Sequence, residues 1–204
     1  YLDVIKDRLY TTGRRSIPRR SAQTAMYQIA EAMVRWLAPV LSFTAEEIWE
    51  ALPGERVGSV FLETWQELMR AGDPEVDWSA LMPMRDAVAR ALEARRAAGE
   101  IGAGLEAEVT LYTDSAEAER LRELGDELRF ALITSAATIA PPDTAPPDAV
   151  EDAGWLIGVK PSDAPKCIRC WHRRPDVGSG AGHAEICGRC AGNLDGPGET
   201  RRFA

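Results

Sequence analysis

The chain has 204 residues, of which 45% are hydrophobic and 27% charged, and its formal net charge is −8. A chain of this length and composition can bury a core, which excludes a wholly disordered protein. The long uncharged apolar stretches, such as Trp36 to Phe43, are shorter than the ~18 residues of a membrane span, and no signal-peptide pattern precedes the first helical pattern. We therefore expect a cytoplasmic protein without a membrane segment. Because the sequence opens inside a helical pattern, we expect a piece of a longer chain.

The charge is distributed unevenly along the chain. Residues 1–35 carry a net charge of +4, residues 36–165 a net charge of −15, and residues 166–204 a net charge of +3. Polyanion binding needs a positive surface, so the overall charge by itself argues against a nucleic-acid partner. The two basic ends could nevertheless hold a polyanion between them. The alternative is that all three regions are ordinary solvated faces.

The first third of the chain predicts helices. Residues 21–38 place apolar side chains at helical spacing, which predicts a buried helix ending near Pro39. This stripe consists of Ala22, Ala25, Met26, Ile29, Ala30, Met33 and Leu37. Thr44 and Glu47 have the spacing of a capping box at the start of a second helix. Residues 60–65 predict either an extended segment lying across these helices, which we favour, or an edge strand.

The middle of the chain predicts a small α/β unit. Residues 79–98 and 115–134 have helical patterns, and residues 105–112 alternate apolar and polar side chains as a half-buried strand does. A second short strand is expected at residues 137–140. Helices and strands in this order indicate an α/β unit that follows an all-α one.

A proline-rich segment marks the clearest boundary. Residues 141–149 hold four of the 13 prolines, which predicts a stiff linker. Residues 155–159 predict a strand, and the sequence from Lys166 onward is too poor in aliphatic residues to fold on hydrophobic burial alone. We expect this tail to need a cross-link or a metal.

The four cysteines of the tail have the spacing of a metal site. They form two C-x-x-C pairs, separated by 16 residues, at Cys167, Cys170, Cys187 and Cys190. This spacing is typical of a tetrahedral zinc site with four thiolate ligands, which leaves no open coordination position. We therefore predict one structural Zn²⁺ whose binding folds the tail, with Arg169, Arg189 and Lys166 offsetting the site's formal −2 charge. Two disulfides, or a redox dithiol, are the alternatives.

Aromatic and basic residues next to the cysteines indicate nucleic-acid contacts. Trp171 directly follows the first cysteine pair and is followed by His172, Arg173 and Arg174. An aromatic ring beside guanidinium groups can stack on an unpaired base while the cations contact phosphates. The alternative is that Trp171 packs over the metal site as its only core. His172 and His183 are not needed as ligands, because four cysteines complete the coordination shell.

A second basic group lies near the amino-terminal end. Two arginine pairs, Arg14-Arg15 and Arg19-Arg20, flank Pro18 just before the predicted helix at Ser21. Two arginine pairs beside a helix N-terminus form a local anion site through both charge and dipole. Solvated arginines are the alternative. The sequence contains no G-x-S-x-G, H-E-x-x-H or Walker pattern, so we predict no catalytic residues.

Together these segments resemble the carboxy-terminal part of bacterial isoleucyl-tRNA synthetases, which are class I aminoacyl-tRNA synthetases. The resemblance covers nearly the whole chain and is carried by residues 19–49, by residues 52–65 and 102–112, and by residues 166–204 with Trp171 and His172 after the second cysteine. The helical stretch also resembles the related enzymes for valine and leucine. The four-cysteine tail with C-W-H is similar to the isoleucine enzymes in particular.

The resemblance implies a fold that is mainly α, with a helical bundle of the anticodon-binding type, a small α/β junction unit and a carboxy-terminal zinc ribbon with four cysteine ligands. It implies four segments: a helical anticodon-stem domain at 1–76, the junction at 77–140, the linker at 141–154 and the zinc domain at 155–204. The family's HIGH and KMSKS motifs are absent, so ATP and Mg²⁺ would belong to a catalytic domain outside this chain, as would editing.

The implied function is tRNA binding within a ligase that attaches isoleucine to tRNA(Ile) with ATP. The implied partners are tRNA(Ile) and the catalytic and editing domains of the same parent chain, which would be a cytoplasmic monomer. Two other hypotheses are a free-standing zinc-ribbon nucleic-acid binder, since this ribbon also resembles that of formamidopyrimidine-DNA glycosylases, and an acidic protein-interaction module.

Overall fold

The computed structural model describes residues 2–68, 72, 76–180 and 182–203. The predicted domain limits at positions 1 and 204 lie outside the described residues. Contacts divide the chain into two compact units: Tyr1–Arg19 with Pro74–Ala204, called here the sheet unit, and Arg20–Asp73, called the helical unit. None of the helices within the described ranges is long and apolar enough to cross a membrane.

The helical unit is built on two helices. The first helix of the chain, α1 (Leu2–Thr11), is followed by α2 (Ile17–Leu37) and α3 (Ser42–Ala51). The predicted capping box is wrong, because α3 begins two residues before Thr44 and its N-cap residue, Leu41, has no side-chain hydrogen bond. Only residues 38–41 connect α2 to α3. With this short connection, the backbone amide of Ala45 donates to the carbonyl of Leu41, so helical hydrogen bonding starts before Thr44.

The segment at residues 60–65 is not fully extended. Val60–Leu62 form a 3-10 turn, in which the Ser59 hydroxyl accepts a hydrogen bond from the amide of Phe61. The Glu46 carboxylate accepts from the Ser59 hydroxyl at 2.8 Å and from the Val60 amide at 3.0 Å. Through these contacts Glu46 of α3 supplies a hydrogen-bond acceptor for the Val60 amide, which would have no backbone partner in an extended segment.

The predicted apolar stripe of α2 is only partly buried. Ala22 is buried, but Ile29 and Met33 are 43% and 47% exposed. Val34 makes the core contacts instead, in a small buried cluster with Ala38, Ala45, Trp49 and Val60. The buried face of α2 is therefore rotated from the one the spacing predicts, because α3 packs on Val34 and Ala38.

Two arginines stack on the buried tryptophan of the helical unit. The guanidinium groups of Arg35 and Arg56 lie 4.7 Å and 4.1 Å from the ring centre of Trp49. Both arginines also donate to the carboxylate of Glu31, Arg35 at 2.5 Å. Burial by itself raises the pKa of Glu31, but the hydrogen bonds from Arg56 and Arg35 outweigh it and lower the pKa to about 2. We call these four residues the Arg-Trp-Arg stack.

The sheet unit has a four-stranded mixed sheet with helices on one face. The described elements are α4 (Trp78–Ala97), β1 (Ala107–Tyr112), α5 (Ala116–Glu123), α6 (Leu128–Leu132), β2 (Ala136–Ala140), β3 (Val150–Asp152), β4 (Trp155–Pro161) and α7 (Gly188–Asp195). The strand order is β2-β1-β4-β3; β1 pairs with β2 in parallel, and the other pairs are antiparallel. The strands predicted at residues 105–112 and 137–140 are confirmed as β1 and β2, except that residues 105 and 106 belong to a 3-10 turn, Gly104–Glu106, that precedes β1.

The core of this unit lies between the sheet and its helices. Met84 and Val88 of α4 are buried in one cluster with Val109 and Leu111 of β1 and with Ile157 of β4. The burial alternates along β1, as its sequence predicts. Residues 141–154 contain a 3-10 turn and β3, and β4 pairs along the whole length of β1. This pairing joins Trp155–Pro161 to the sheet and places the cysteine-rich tail directly after the sheet's β4.

Candidate metal centre and nucleic-acid interface

The four cysteines form one buried cluster. Their Sγ atoms all lie within 4.8 Å of one another, and all four are free thiols. The Sγ atoms of Cys170 and Cys187 are 3.8 Å apart. A tetrahedral zinc site with Zn–S bonds of about 2.3 Å has edges of about 3.8 Å between sulfur atoms. The donor set and its spacing therefore fit Zn²⁺, and the disulfide alternative is wrong.

Local backbone geometry forms the two halves of this cluster. In the first half, the Trp171 amide donates to the Cys167 carbonyl at 2.9 Å, and Trp171 adopts a left-handed backbone with φ of 66°. In the second half, Cys187 is the N-cap residue of α7 and Cys190 lies in its first turn. The Cys187 amide also donates to the Cys167 sulfur at 3.4 Å, which joins the halves. We call the two C-x-x-C turns the first and second knuckle.

The core beside the knuckles does not include the tryptophan. The cysteines pack with Ile186, and Val177 and Ala191 lie against this cluster. Trp171 is 61% exposed, so the alternative in which its ring forms the core of the tail is wrong. A cluster this small buries little apolar area, which agrees with folding that depends on a metal.

Neither histidine of the chain lies in the cysteine cluster. His172 is buried, with Nδ1 3.2 Å from the Cys170 carbonyl oxygen and its ring edge-on to Phe130 at 5.5 Å. His183 faces Asp195 with Nε2 2.5 Å from the carboxylate. These contacts give each histidine a partner other than a metal.

The arginines inside the knuckles contact α1. Arg169 of the first knuckle donates through Nη1 to the Thr11 carbonyl at 2.5 Å. Arg189 of the second knuckle holds both carboxylate oxygens of Asp7, at 2.6 Å and 2.9 Å. From the sequence, both arginines were expected only to offset the charge of the metal site. The signal for a shared structural role is that both knuckles have arginine at the same position, directly before their second cysteine.

Asp7 lies in a largely buried ionic cluster. Arg189 also contacts Glu199 at 3.1 Å, and Arg201 pairs with both Asp7 and Glu199. The side chain of Asn193 donates to Glu199 at 2.9 Å. Burial by itself raises the pKa of Asp7, but the Arg189 hydrogen bonds and the charges of Arg189 and Arg201 outweigh it and hold that pKa well below its ordinary value.

A largely apolar cleft opens between α1 and the first knuckle. Its volume is about 470 Å³, and its apolar wall includes Val4, Phe130 and Ile133. Tyr10 and Trp171 also line it, and these two rings are 74% and 61% exposed. The cleft thus presents two accessible aromatic rings beside the cysteine cluster.

The predicted cationic residues differ in whether their side chains already have acidic or carbonyl partners within the described part of the chain. Arg14 and Arg15 are exposed in the turn between α1 and α2, and neither forms an ion pair with the described part of the chain. Arg19 and Arg20 lie in the first turn of α2, half-buried and exposed respectively. The predicted start of this helix at Ser21 is wrong: α2 begins at Ile17, so Arg14 and Arg15 precede the helix while Arg19 and Arg20 lie inside its first turn.

Arg173 and Arg174 are engaged within the sheet unit. Arg173 donates through Nη1 to the Ala164 carbonyl at 3.2 Å, and Arg174 lies 3.5 Å from Asp126 and 3.7 Å from Asp176. Their guanidinium groups already have acceptors, so a phosphate would have to replace these contacts.

Two family models of known proteins match parts of the chain. The family model described as the anticodon-binding domain of tRNA ligase matches residues 1–111. The chain belongs to this family. A second model, described as the zinc finger found in FPG and IleRS, matches residues 165–192, which include both knuckles. The chain therefore carries a structural Zn²⁺ site of this kind.

Curated relatives match the chain along its full length. It is similar to isoleucine–tRNA ligases of Pseudomonas aeruginosa (52% identity over 211 residues), Stutzerimonas stutzeri (54% over 213 residues) and Nitrosococcus oceani (54% over 211 residues). Each match covers 100% of this chain and 22% of the relative. The chain thus spans about a fifth of the length of the curated relatives that it matches.

Proposed function

We propose that this chain is the tRNA-binding, carboxy-terminal part of an isoleucine–tRNA ligase, a cytoplasmic enzyme that joins isoleucine to tRNA(Ile) with ATP. The observation that carries the proposal is the succession, in one chain, of an anticodon-binding match at residues 1–111 and a zinc-finger match at residues 165–192, with ligase relatives covering all of it. This succession favours the ligase over a free-standing zinc-ribbon module or an acidic interaction module.

The parent chain would supply the chemistry. In this proposal, ATP, Mg²⁺, the catalytic site and the editing site belong to other domains of a monomeric parent. Along the sequence we propose a helical anticodon-stem domain at 1–76, a junction at 77–140, a linker at 141–154 and a zinc domain at 155–204. In the structure, residues 1–19 group with the sheet unit, and β3 and β4 belong to the same sheet as β1. We expect no isoleucine-dependent pyrophosphate exchange from this chain alone, and exchange above a buffer control would contradict the assignment.

The metal's role would be structural. Cys167, Cys170, Cys187 and Cys190 would be its ligands, since all four are buried and their sulfur atoms lie within 4.8 Å of one another. Four thiolates leave no coordination position for water or substrate, so the bound Zn²⁺ supplies rigidity and no reactive hydroxide. The chain's own residues then present the first knuckle and its exposed tryptophan.

The tRNA contacts would come from the exposed ring of Trp171 and from the arginines that form no ion pair within the described residues. Trp171 can stack on an unpaired base of the anticodon loop, because its ring is accessible at the rim of the cleft. Arg14, Arg15, Arg19 and Arg20 would contact phosphates. Arg173 and Arg174 would contribute less than these four, because they must first leave their present acceptors.

The test is tRNA(Ile) binding at several salt concentrations with two sets of variants. Trp171→Ala should weaken binding by about 1–3 kcal/mol and leave the salt slope unchanged, because a stacking contact neutralises no phosphate. The matched control is Ile168→Ala, which removes another exposed side chain of the same knuckle. The double variant Arg14→Met/Arg15→Met should flatten the slope by about two contacts, each worth roughly 0.7–0.9 in log K against log salt.

Three results would contradict this assignment. One is unchanged affinity after Trp171→Ala, and another is an equal loss after Ile168→Ala. The third is an unchanged salt slope after removal of Arg14 and Arg15 in a chain that still binds tRNA(Ile).

A further inference from the structure

The two knuckles of the metal site hold the same helix at two points. Arg189 grips Asp7 in the middle of α1, and Arg169 donates to the carbonyl of Thr11 at the end of α1. Each arginine lies directly before the second cysteine of its knuckle, so the fold of the metal site sets the position of both side chains. These contacts cross more than 150 positions of the chain, which makes them tertiary contacts rather than local capping.

Asp7 forms buried ion pairs with two arginines, Arg189 and Arg201. The side chains of Asp7 and Arg189 are 13% and 12% exposed, and that of Arg201 is 1% exposed. The guanidinium group of Arg201 also stacks 3.3 Å from the ring centre of Phe130, with Arg189 at 5.0 Å from the same centre. Removing one partner of such a pair leaves an uncompensated charge out of water, so the cluster strongly favours the docked position of α1.

The grip on Thr11 acts at the helix end. The last carbonyls of a helix have no partner inside it, and a cation that hydrogen-bonds one of them also interacts favourably with the helix dipole. Arg14 and Arg15 follow this end after two residues, in the turn that leads to α2. The position of the end of α1 therefore determines where these two exposed cations start.

We propose that Arg169 and Arg189 are positioning residues, through which the metal site holds α1 and fixes the Arg14–Arg15 turn for RNA. This inference rests on the proposed tRNA-binding function and deepens it. The metal site then serves two surfaces: it presents Trp171 directly, and it orients a basic turn that contains none of its own residues.

The competing view is that α1 is held without the knuckles. Ile5 is buried, and Val4 packs against the sheet unit's core cluster. If these apolar contacts are sufficient, breaking the arginine contacts will not change the protection of α1 or the contribution of its basic turn to RNA binding.

The experiment compares Arg169→Met/Arg189→Met with the unmodified chain, both loaded with zinc. Backbone amide exchange of α1, zinc content and the salt slope of tRNA(Ile) binding are measured on the same preparations. We expect one zinc per chain in both. The α1 amides should exchange about tenfold to a hundredfold faster in the variant, the range expected for lost hydrogen bonds to charged groups. Arg14→Met/Arg15→Met should then flatten the salt slope less in the variant than in the unmodified chain.

Two further variants keep the test decisive. Asp7→Asn breaks the grip from the α1 side without changing a knuckle, and it should produce the same faster exchange even if the arginine variant loses zinc. Ile168→Ala, in the first knuckle, should leave α1 exchange unchanged. Unchanged α1 exchange in Asp7→Asn would overturn the inference. If no preparation binds tRNA(Ile), the proposed function fails, while the exchange data still decide whether the metal site holds α1.

Discussion

The two units of the chain are stabilised in different ways. The helical unit has a core of five buried residues, and 13 of the 21 exposed large hydrophobic side chains among the described residues lie between positions 20 and 68. The sheet unit adds a sheet-and-helix core, a four-cysteine site and a buried ionic cluster. A unit with little apolar burial must gain stability from a few specific contacts, and these contacts differ between the two units.

Loss of the metal should produce the largest difference in stability between the two units. Cys170→Ser, or chelation of the zinc, should unfold the tail from residue 165 onward, because zinc binding contributes on the order of 10–16 kcal/mol in small zinc-dependent folds. The helical unit has no part in the site and should keep its stability. Amide exchange measured separately over residues 165–195 and 20–68 checks both statements. Equal loss of protection in both ranges would remove the distinction.

The next effect concerns the tryptophan of the Arg-Trp-Arg stack. Trp49→Ala should destabilise the helical unit by about 3–5 kcal/mol, because the ring is buried and two arginines lie on it. Trp65 is 73% exposed and supplies the matched control, since Trp65→Ala should have little effect. Denaturant unfolding of both variants measures the difference. A similar loss from both would show that the stack does not stabilise this unit.

The carboxylate of the same stack should give an effect of about 3 kcal/mol and a pH dependence. Glu31→Gln removes the carboxylate that Arg35 and Arg56 share and leaves Arg35 with Glu63, at 3.6 Å, as its only carboxylate partner among the described residues, so it should destabilise the helical unit at neutral pH. The folded-state pKa of Glu31 is about 2, below its ordinary value of 4.5. Its stabilisation is therefore complete above pH about 4.5 and is lost as the pH falls towards 2.

Acid unfolding of Glu31→Gln tests this dependence. The variant should lack the part of the acid transition that Glu31 contributes in the unmodified chain. Glu47→Gln changes an exposed glutamate of α3 and should retain that part. Identical acid transitions in Glu31→Gln and Glu47→Gln would contradict the role of the buried carboxylate.

The smallest effect should come from an exposed ion pair of the sheet unit. Arg90 in α4 holds both oxygens of Asp152 at 2.7 Å and 2.9 Å, but the arginine side chain is 59% exposed. Exposed pairs contribute little, so Arg90→Met should leave the unfolding midpoint unchanged within error. Asp7→Asn, at the buried pair with Arg189, should shift it clearly. If Arg90→Met shifts the unfolding midpoint more than Asp7→Asn does, the geometry of an ion pair contributes more to the stability of this unit than its burial does.

Local patterns in the sequence predicted part of this structure. The C-x-x-C spacing predicted the cysteine cluster, and alternation predicted β1, because both depend on residues close together in the chain. The capping box at Thr44 and the buried face of α2 were wrong, since the short connection and the packing of α3 outweighed local propensity. The arginine shared by the two knuckles marked Arg169 and Arg189 as equivalent positions, but their contacts with α1 cross more than 150 positions, so no local pattern could identify the partner helix.

The most direct measurement is selection from a mixture of tRNAs. The zinc-loaded chain is immobilised, incubated with total tRNA at moderate salt, and the retained acceptors are identified with and without prior chelation. We expect enrichment of tRNA(Ile), which is lost when the metal is removed. Equal retention of all acceptors, or enrichment that survives chelation, would contradict a tRNA-recognition role that depends on the metal site.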